Sequence, residues 1–177
     1  MITKDDFPWT AGDLVIRKES LDAMHSHALT EFPNECCGYA SGPAAEPSIV
    51  DSVSPMLNLA TTDQYANQLA GGRTSQNFFI MDPLKLDTAI TAGDATDQPV
   101  KVVYHSHPNS KGAYFSDEDR AIFGEGHGLL LPVSFIVIGV SNEQSGQNSK
   151  PYVIETKLWV FNALTKQFVE SNLTTSV

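Results

Sequence analysis

The chain reads as an α/β sandwich, with helices set around one mixed sheet. Three observations carry that reading. Apolar residues recur at helical spacing near the start of the chain. The runs VVYHSH and VSFIVIGV have the β-branched and aromatic composition of buried strands. The two kinds of segment alternate along the chain instead of falling into separate blocks.

Ser20 is placed to cap a helix over LDAMHSHALTEF, where Leu21, Met24, Ala28 and Phe32 share a face and Pro33 stops the helix. CCGYASG and SIVDSVSPM read as two short strands, joined as a hairpin through GPAAEP. Residues 57–77 are polar and contain Gly71-Gly72, so they read as a long connection with little regular structure, a candidate flap. Phe78 to Met81 form a short strand, and Asp82 caps a helix over PLKLDTAITAG with Pro83 in its first turn and Gly93 at its end. PVKVVYHSHP is a buried strand closed by Pro108, with His105 and His107 at its carboxyl end. Ser116 caps DEDRAIFGEG, VSFIVIGV is another buried strand, and YVIETKLWVF pairs with KQFVES as a closing hairpin across 162–165. The tail 171–177 ends in small polar residues and is expected to fray. Trp9, Trp159 and the Phe78-Phe79 pair are core candidates.

At 177 residues with 41% apolar content, a single domain over 1–177 with a real core is expected. A formal net charge of −10 sets up a field that repels polyphosphate, which argues against non-specific binding to nucleic acid or an anionic membrane. A basic peptide tail or a cationic patch is the better electrostatic partner. The two cysteines, Cys36 and Cys37, are adjacent, a spacing that rarely reaches disulfide geometry, so nothing points to an oxidising compartment. Their side chains alternate across a strand, which favours packing over metal ligation or nucleophilic chemistry. No apolar run is long enough to cross a bilayer, and the expectation is a soluble cytoplasmic protein.

The chemistry concentrates in His105-Ser106-His107-Pro108 and Ser116-Asp117-Glu118-Asp119. Residues two apart on a strand project to one side, so both imidazoles can reach one ion while Ser106 points away. A carboxylate from the start of the next helix then makes a third ligand and leaves the fourth tetrahedral position open. His25-Ser26-His27 has the same spacing, but in a helix its rings differ by about 200° around the axis and cannot share an ion. That pair reads as structural.

An upstream glutamate followed by His-x-His-Pro and Ser-x-x-Asp resembles the JAMM family of metalloproteases, also called MPN+ or JAB domains. Here the match is Glu35 in PNECCGYASG, then His105-Ser106-His107-Pro108, then Ser116 to Asp119. The resemblance covers roughly residues 14–142. The loop NSKGAYF leaves the register of the carboxylate open: counted from the histidine Glu118 takes the ligand position, and counted from the serine Asp119 does. Asp119 is favoured because a loop absorbs a change of length more easily than a first helical turn.

The resemblance implies a JAMM/MPN, cytidine-deaminase-like sandwich with a curved mixed sheet flanked by helices. It implies one Zn2+ per chain on His105, His107 and Asp119. It also implies that Glu35 takes a proton from the attacking water and returns it to the leaving amine, and that Ser116 donates to the oxyanion. The implied reaction is hydrolysis of a peptide or isopeptide bond after the Gly-Gly tail of a ubiquitin-like or sulfur-carrier protein. Two other readings stay open: a phage-tail or DNA-repair-associated RadC-like member, and a metal-free MPN scaffold. A zinc deaminase lacks its Pro-Cys-x-x-Cys here.

Overall fold

The computed structural model describes residues 5–109, 112–142 and 150–177. The chain enters through a 3-10 turn at Pro8–Ala11, then β1 (Leu14–Arg17), α1 (Lys18–Glu31), β2 (Cys37–Ser41), β3 (Ile49–Val50) and β4 (Ser52–Met56). A second 3-10 turn (Leu59–Thr61) and the short α2 (Asp63–Ala66) lead to α3 (Pro83–Ala95), β5 (Val100–Pro108), α4 (Asp117–Phe123) and β6 (Ser134–Ser141). Strands β7 (Tyr152–Asn162), β8 (Gln167–Ser171) and β9 (Leu173–Ser176) complete the order.

The strands divide into two sheets. Six pair in the order β4-β2-β5-β6-β7-β8, and three form a separate sheet in the order β3-β1-β9. The larger sheet is mixed, because β5 and β6 run parallel while its other neighbours are antiparallel. The curved single sheet expected from the resemblance is therefore corrected: the six-stranded sheet is an open ladder that neither curls nor closes, with β4 and β8 as its two edges. The reason lies in where the chain goes after β8. Instead of extending the ladder, it passes Asn172 and pairs β9 in parallel with β1. The tail expected to fray is thus an ordered strand, with Leu173 opposite Leu14 and Ser176 opposite Arg17.

Several boundaries also shift. Helix α1 starts at Lys18 after an extended Arg17, so Ser20 is a buried residue inside it and not its cap. The hairpin of CCGYASG and SIVDSVSPM survives as the antiparallel β2 and β4 pair, but Ile49 and Val50 between them are diverted to the smaller sheet. Phe78 to Met81 form no strand; Ile80 is held by Asn58, whose Oδ1 accepts from its N–H, and by Leu59, whose N–H donates to its carbonyl. Asp82 caps α3 as expected, its Oδ1 accepting from the N–H groups of Leu84 and Lys85, and the helix runs past Gly93 to Ala95.

Alternation along the central strands sorts the core into two clusters. Val102, Tyr104, Ile136, Ile138 and Leu158 face one side, with Met24 and Ala28 of α1 and Leu14 and Ile16 of β1. Val103, Phe135 and Val137 face the other, with Leu86 of α3, Phe123 of α4 and Phe115. His105 and His107 have the parity of Val103, so the pattern that builds the core also sends both rings to the α3 and α4 side. Gly139 on β6 lets the loop before α4 lie close on the sheet, since a Cβ there would meet the Gly112 backbone at 2.8 Å. Ala113 is then tied down through its N–H to Glu155 Oε1 at 2.7 Å and through its carbonyl to Trp159 Nε1 at 3.0 Å.

The two sheets are joined by a buried ammonium. Lys101 of β5 is fully buried, and its Nζ donates at 2.8 Å to the carbonyls of Pro43, Glu46 and Ile49, with the Trp9 ring 5.9 Å away. Burial pulls its pKa down to about 8. The three carbonyls keep the charged form tolerable and fix the turn between β2 and β3. Replacing Lys101 by Met leaves them without this donor, so Lys101→Met is expected to lower unfolding free energy by about 2 kcal/mol, read from urea denaturation at neutral pH.

Candidate metal centre

Strand β5 is buried along its length apart from Pro108. It is hydrogen-bonded on one side to β2, with Cys37 opposite His105, and on the other to β6, with Gly139 opposite His107. That double pairing fixes both histidine backbones. His105 is fully buried and His107 nearly so, and their Nε2 atoms lie 3.1 Å apart. The rings are walled by aromatics: Phe79 stacks on His105 with centroids 4.6 Å apart, and Tyr114 leans over His107 at 4.7 Å. Ser106 turns to the opposite face, where its Oγ accepts from the N–H of Cys36 at 2.8 Å.

Asp119 arrives from the first turn of α4. Ser116 caps that helix by accepting from the Asp119 N–H at 3.0 Å, and Asp119 Oδ2 in return accepts from the Ser116 N–H at 2.9 Å, a complete capping box. The Ser116 hydroxyl also donates to Oδ2 at 2.6 Å. The same carboxylate faces the imidazoles, with Oδ1 3.3 Å from His105 Nε2 and Oδ2 3.5 Å from His107 Nε2. Glu118 points elsewhere and pairs with Arg73. The structure therefore brings Asp119, and not Glu118, to the histidines. Ser110 and Lys111 of the intervening loop lie outside the described residues.

Three donor atoms around one ion at about 2.1 Å in a tetrahedral arrangement stand roughly 3.3 Å from one another. Here the two Nε2 atoms are 3.1 Å apart and each faces a different Asp119 oxygen, and one ligand atom from each of the three residues lies within 4.8 Å of the others. His105, His107 and Asp119 are all buried and can hold a metal ion together. Among the described residues neither imidazole Nδ1 has a hydrogen-bond partner. The electrostatics of the three side chains differ. Burial works against the charged form of Asp119, yet the His105 imidazole and the hydrogen bonds from His105, His107 and Ser116 outweigh it and hold the carboxyl far below its ordinary range. Burial also lowers His107, favouring the neutral ring that a metal requires. His105 is raised, because Asp119 overcomes the burial that would lower it.

Glu35 is 5% exposed and lines a cavity of about 200 Å3 with His107, Tyr114, Ser116 and Asp119. Its backbone is clamped from both sides: its N–H donates to the Ser75 carbonyl at 2.7 Å, and its carbonyl accepts from Asn58 Nδ2 at 3.0 Å. Burial pushes its carboxyl up to about 8; His105 pulls it down, and Asp119 and Glu118 add to the rise. Phe78, Phe79 and Ile122 also wall an adjoining apolar groove of about 530 Å3.

Sequence reasoning missed Asn58 and Tyr114. Asn58 is a buried amide whose two ends bind Glu35, Phe78, Ala60 and Ile80, yet in sequence it is one polar residue in a polar stretch. Tyr114 differs in having had a signal, as an aromatic two residues before the helix cap. The second His-x-His pair behaves as structural: His25 Nε2 is 2.7 Å from Thr156 Oγ1, and His27 Nδ1 is 2.9 Å from the Tyr104 hydroxyl. Cys36 and Cys37 are buried free thiols whose pKa values burial drives upward, so neither is a ready thiolate.

Glu35 sets a pH dependence for the metal-free protein. Its folded pKa of about 8 lies above the unfolded value, so between them the folded state holds the extra proton and stability falls as pH rises. Chelated wild-type protein is expected to lose stability from pH 5 to pH 8, by at most about 1.4 kcal/mol per pH unit from this group, and Glu35→Gln is expected to flatten that slope in urea titrations.

Comparison with known proteins bears on the fold and on the family. A 20% identical protein from Desulfitobacterium hafniense aligns over 92% of each chain with a TM-score of 0.56. A 14% identical protein from Salinibacter ruber also aligns over 92% of each, with a TM-score of 0.53. At these identities the likeness is one of fold. A JAB1/MPN domain protein from Archaeoglobus fulgidus is 16% identical over 92% of this chain and 97% of its own, with a TM-score of 0.49. No curated protein matches significantly. The family described as prokaryotic homologs of the JAB domain matches residues 17–152, which takes in Glu35, both histidines, Ser116 and Asp119. The chain belongs to that JAB, or JAMM/MPN, family.

Proposed function

We propose that the chain is a zinc metallopeptidase that hydrolyses a peptide or isopeptide bond following the Gly-Gly tail of a small ubiquitin-like or sulfur-carrier protein. The observation that carries this reading is the convergence of His105, His107 and Asp119 in one buried cluster, of which His107 and Asp119 line the same cavity as Glu35. His105, His107 and Asp119 would hold the ion. When bound, zinc supplies Lewis acidity and lowers the pKa of water toward about 7.

Glu35 carries the proton. Its buried carboxyl, pushed up to about 8 by burial, lies near the neutral range in which a general base works. It takes the proton of the attacking water and hands it to the leaving amine. Its backbone clamps, through Ser75 and Asn58, keep the carboxyl in the cavity during that exchange. Ser116 donates to the developing oxyanion once its hydroxyl turns from Asp119 Oδ2. Phe79 and Tyr114 restrict water around the two rings. The connection over 57–77 walls the cavity through its last residues, Gln76 and Asn77, and serves as the flap over an incoming tail. A two-glycine tail brings no side chain into this cavity of about 200 Å3.

Elemental analysis of reconstituted protein is expected to give one zinc per chain in wild type and Glu118→Ala, and none in His107→Ala or Asp119→Ala. Glu35→Gln is expected to keep its zinc while hydrolysis of a Gly-Gly fusion falls by about 10²–10⁴-fold. Absence of zinc from every sample after reconstitution rules the proposal out and leaves a metal-free scaffold in its place.

A further inference from the structure

Beside the metal-type cluster, Glu118 holds a cation. Its Oε1 receives both Nε and an Nη of Arg73, and the guanidinium also lies over the Phe78 ring, 4.8 Å from the centroid. A carboxylate and an aromatic face meeting at one point make a seat for a planar cation. Glu118 lines both the cavity of Glu35 and Asp119 and a shallow neighbouring cavity of about 340 Å3, so the seat is at the mouth of the site.

Its present occupant is easily displaced. The Arg73 and Glu118 side chains are 47% and 32% exposed, and ion pairs at that exposure add little net stability. Arg73 follows Gly71 and Gly72, which both have positive φ and open space on the side where a Cβ would stand, with no atom within 4 Å of that position. The Gly72 carbonyl accepts from Asn77 Nδ2 at 3.2 Å and the Arg73 N–H donates to the Ala70 carbonyl at 3.4 Å, so displacement takes a turn of the Arg73 side chain and not a swing of the backbone. Beyond Arg73, Ser75 is pinned by its carbonyl to the Glu35 N–H and by its hydroxyl to Asn34 Oδ1 at 2.7 Å. The Glu35 wall is thereby held in place while the Arg73 side chain turns. A cation entering from solvent is favoured further by the chain's net charge of −10.

We propose that Glu118 and Phe78 form a specificity-determining subsite for a guanidinium side chain of the incoming polypeptide, and that Arg73 is its resident occupant, displaced when that polypeptide binds. The subsite rests on the peptidase reading for the identity of the incoming chain, but its test does not require hydrolysis.

The probes are fluorescein-labelled peptides ending in Gly-Gly, with arginine placed one, two or three residues before the glycines, each matched by a citrulline peptide of the same shape without the charge. Binding is read by fluorescence anisotropy on chelated protein. At one of the three positions arginine is expected to bind roughly five-fold tighter than citrulline. That ratio should collapse toward one in Glu118→Gln, widen in Arg73→Ala where the competitor is gone, and shrink with added salt. Equal binding of arginine and citrulline at all positions in both wild type and Arg73→Ala overturns the subsite, as does a ratio that Glu118→Gln leaves unchanged. If the zinc-loaded protein cleaves no Gly-Gly fusion while the Glu118-dependent ratio persists, the hydrolysis reading fails and the subsite stands. Cleavage with no arginine preference removes the subsite alone.

Discussion

The Asp119 carboxylate is the constraint around which the rest is arranged. One buried side chain closes the capping box of α4 and simultaneously faces two imidazoles on β5. Because the cap sets where the helix begins, and the strand sets where the rings stand, the helix cannot slide or rotate without breaking one set of contacts or the other. Burying a carboxylate is costly unless it is well paired. Here the Ser116 N–H and hydroxyl and the two histidines share that task, and a cation at the same point would complete it. The fold therefore supplies a local negative charge in a dry place, which is the usual physical preparation for binding a metal.

That dryness comes from packing on the same face of the sheet. Phe115, Phe123, Phe135 and Phe168 form an aromatic cluster behind the site, and Phe79 carries the stack out to His105. Loop and sheet meet closely because β6 offers Gly139 where any side chain would intrude. The polar connection that precedes α3 is less free than its composition suggests. Asn58 at one end and Ser75 at the other fasten it to Glu35 and its neighbours, leaving the Gly71-Gly72 tip as the part with room around it.

Much of this was legible in the sequence where short-range geometry governs. Alternation on a strand placed His105 and His107 together and sent Ser106 away, and helix capping chemistry identified Ser116 and Asp82. The register between Glu118 and Asp119 stayed open in the sequence, where Asp119 was favoured because a loop absorbs a change of length more easily than a first helical turn, and it is Asp119 that faces the histidines in the structure. What sequence could not show was long-range. Ile49, Val50 and the last strand leave the main ladder to pair with β1, and such pairings between distant stretches of chain are recorded by no periodicity. Phe78 to Met81 misled as a strand because their apolar run serves to wall a cavity and a groove. Ser20 misled as a cap because α1 begins directly from β1, with no connecting loop.

The buried ammonium of Lys101 has a further use. An amine held by three carbonyls beneath Trp9 is shielded from reagents in solution, while the exposed Lys18 is open to them. Acylation of Lys101 therefore waits on opening of the segment from Pro43 to Ile49 that carries the three carbonyls, so its labelling rate, compared with that of Lys18 in the same sample, is a built-in clock for how often that segment lifts.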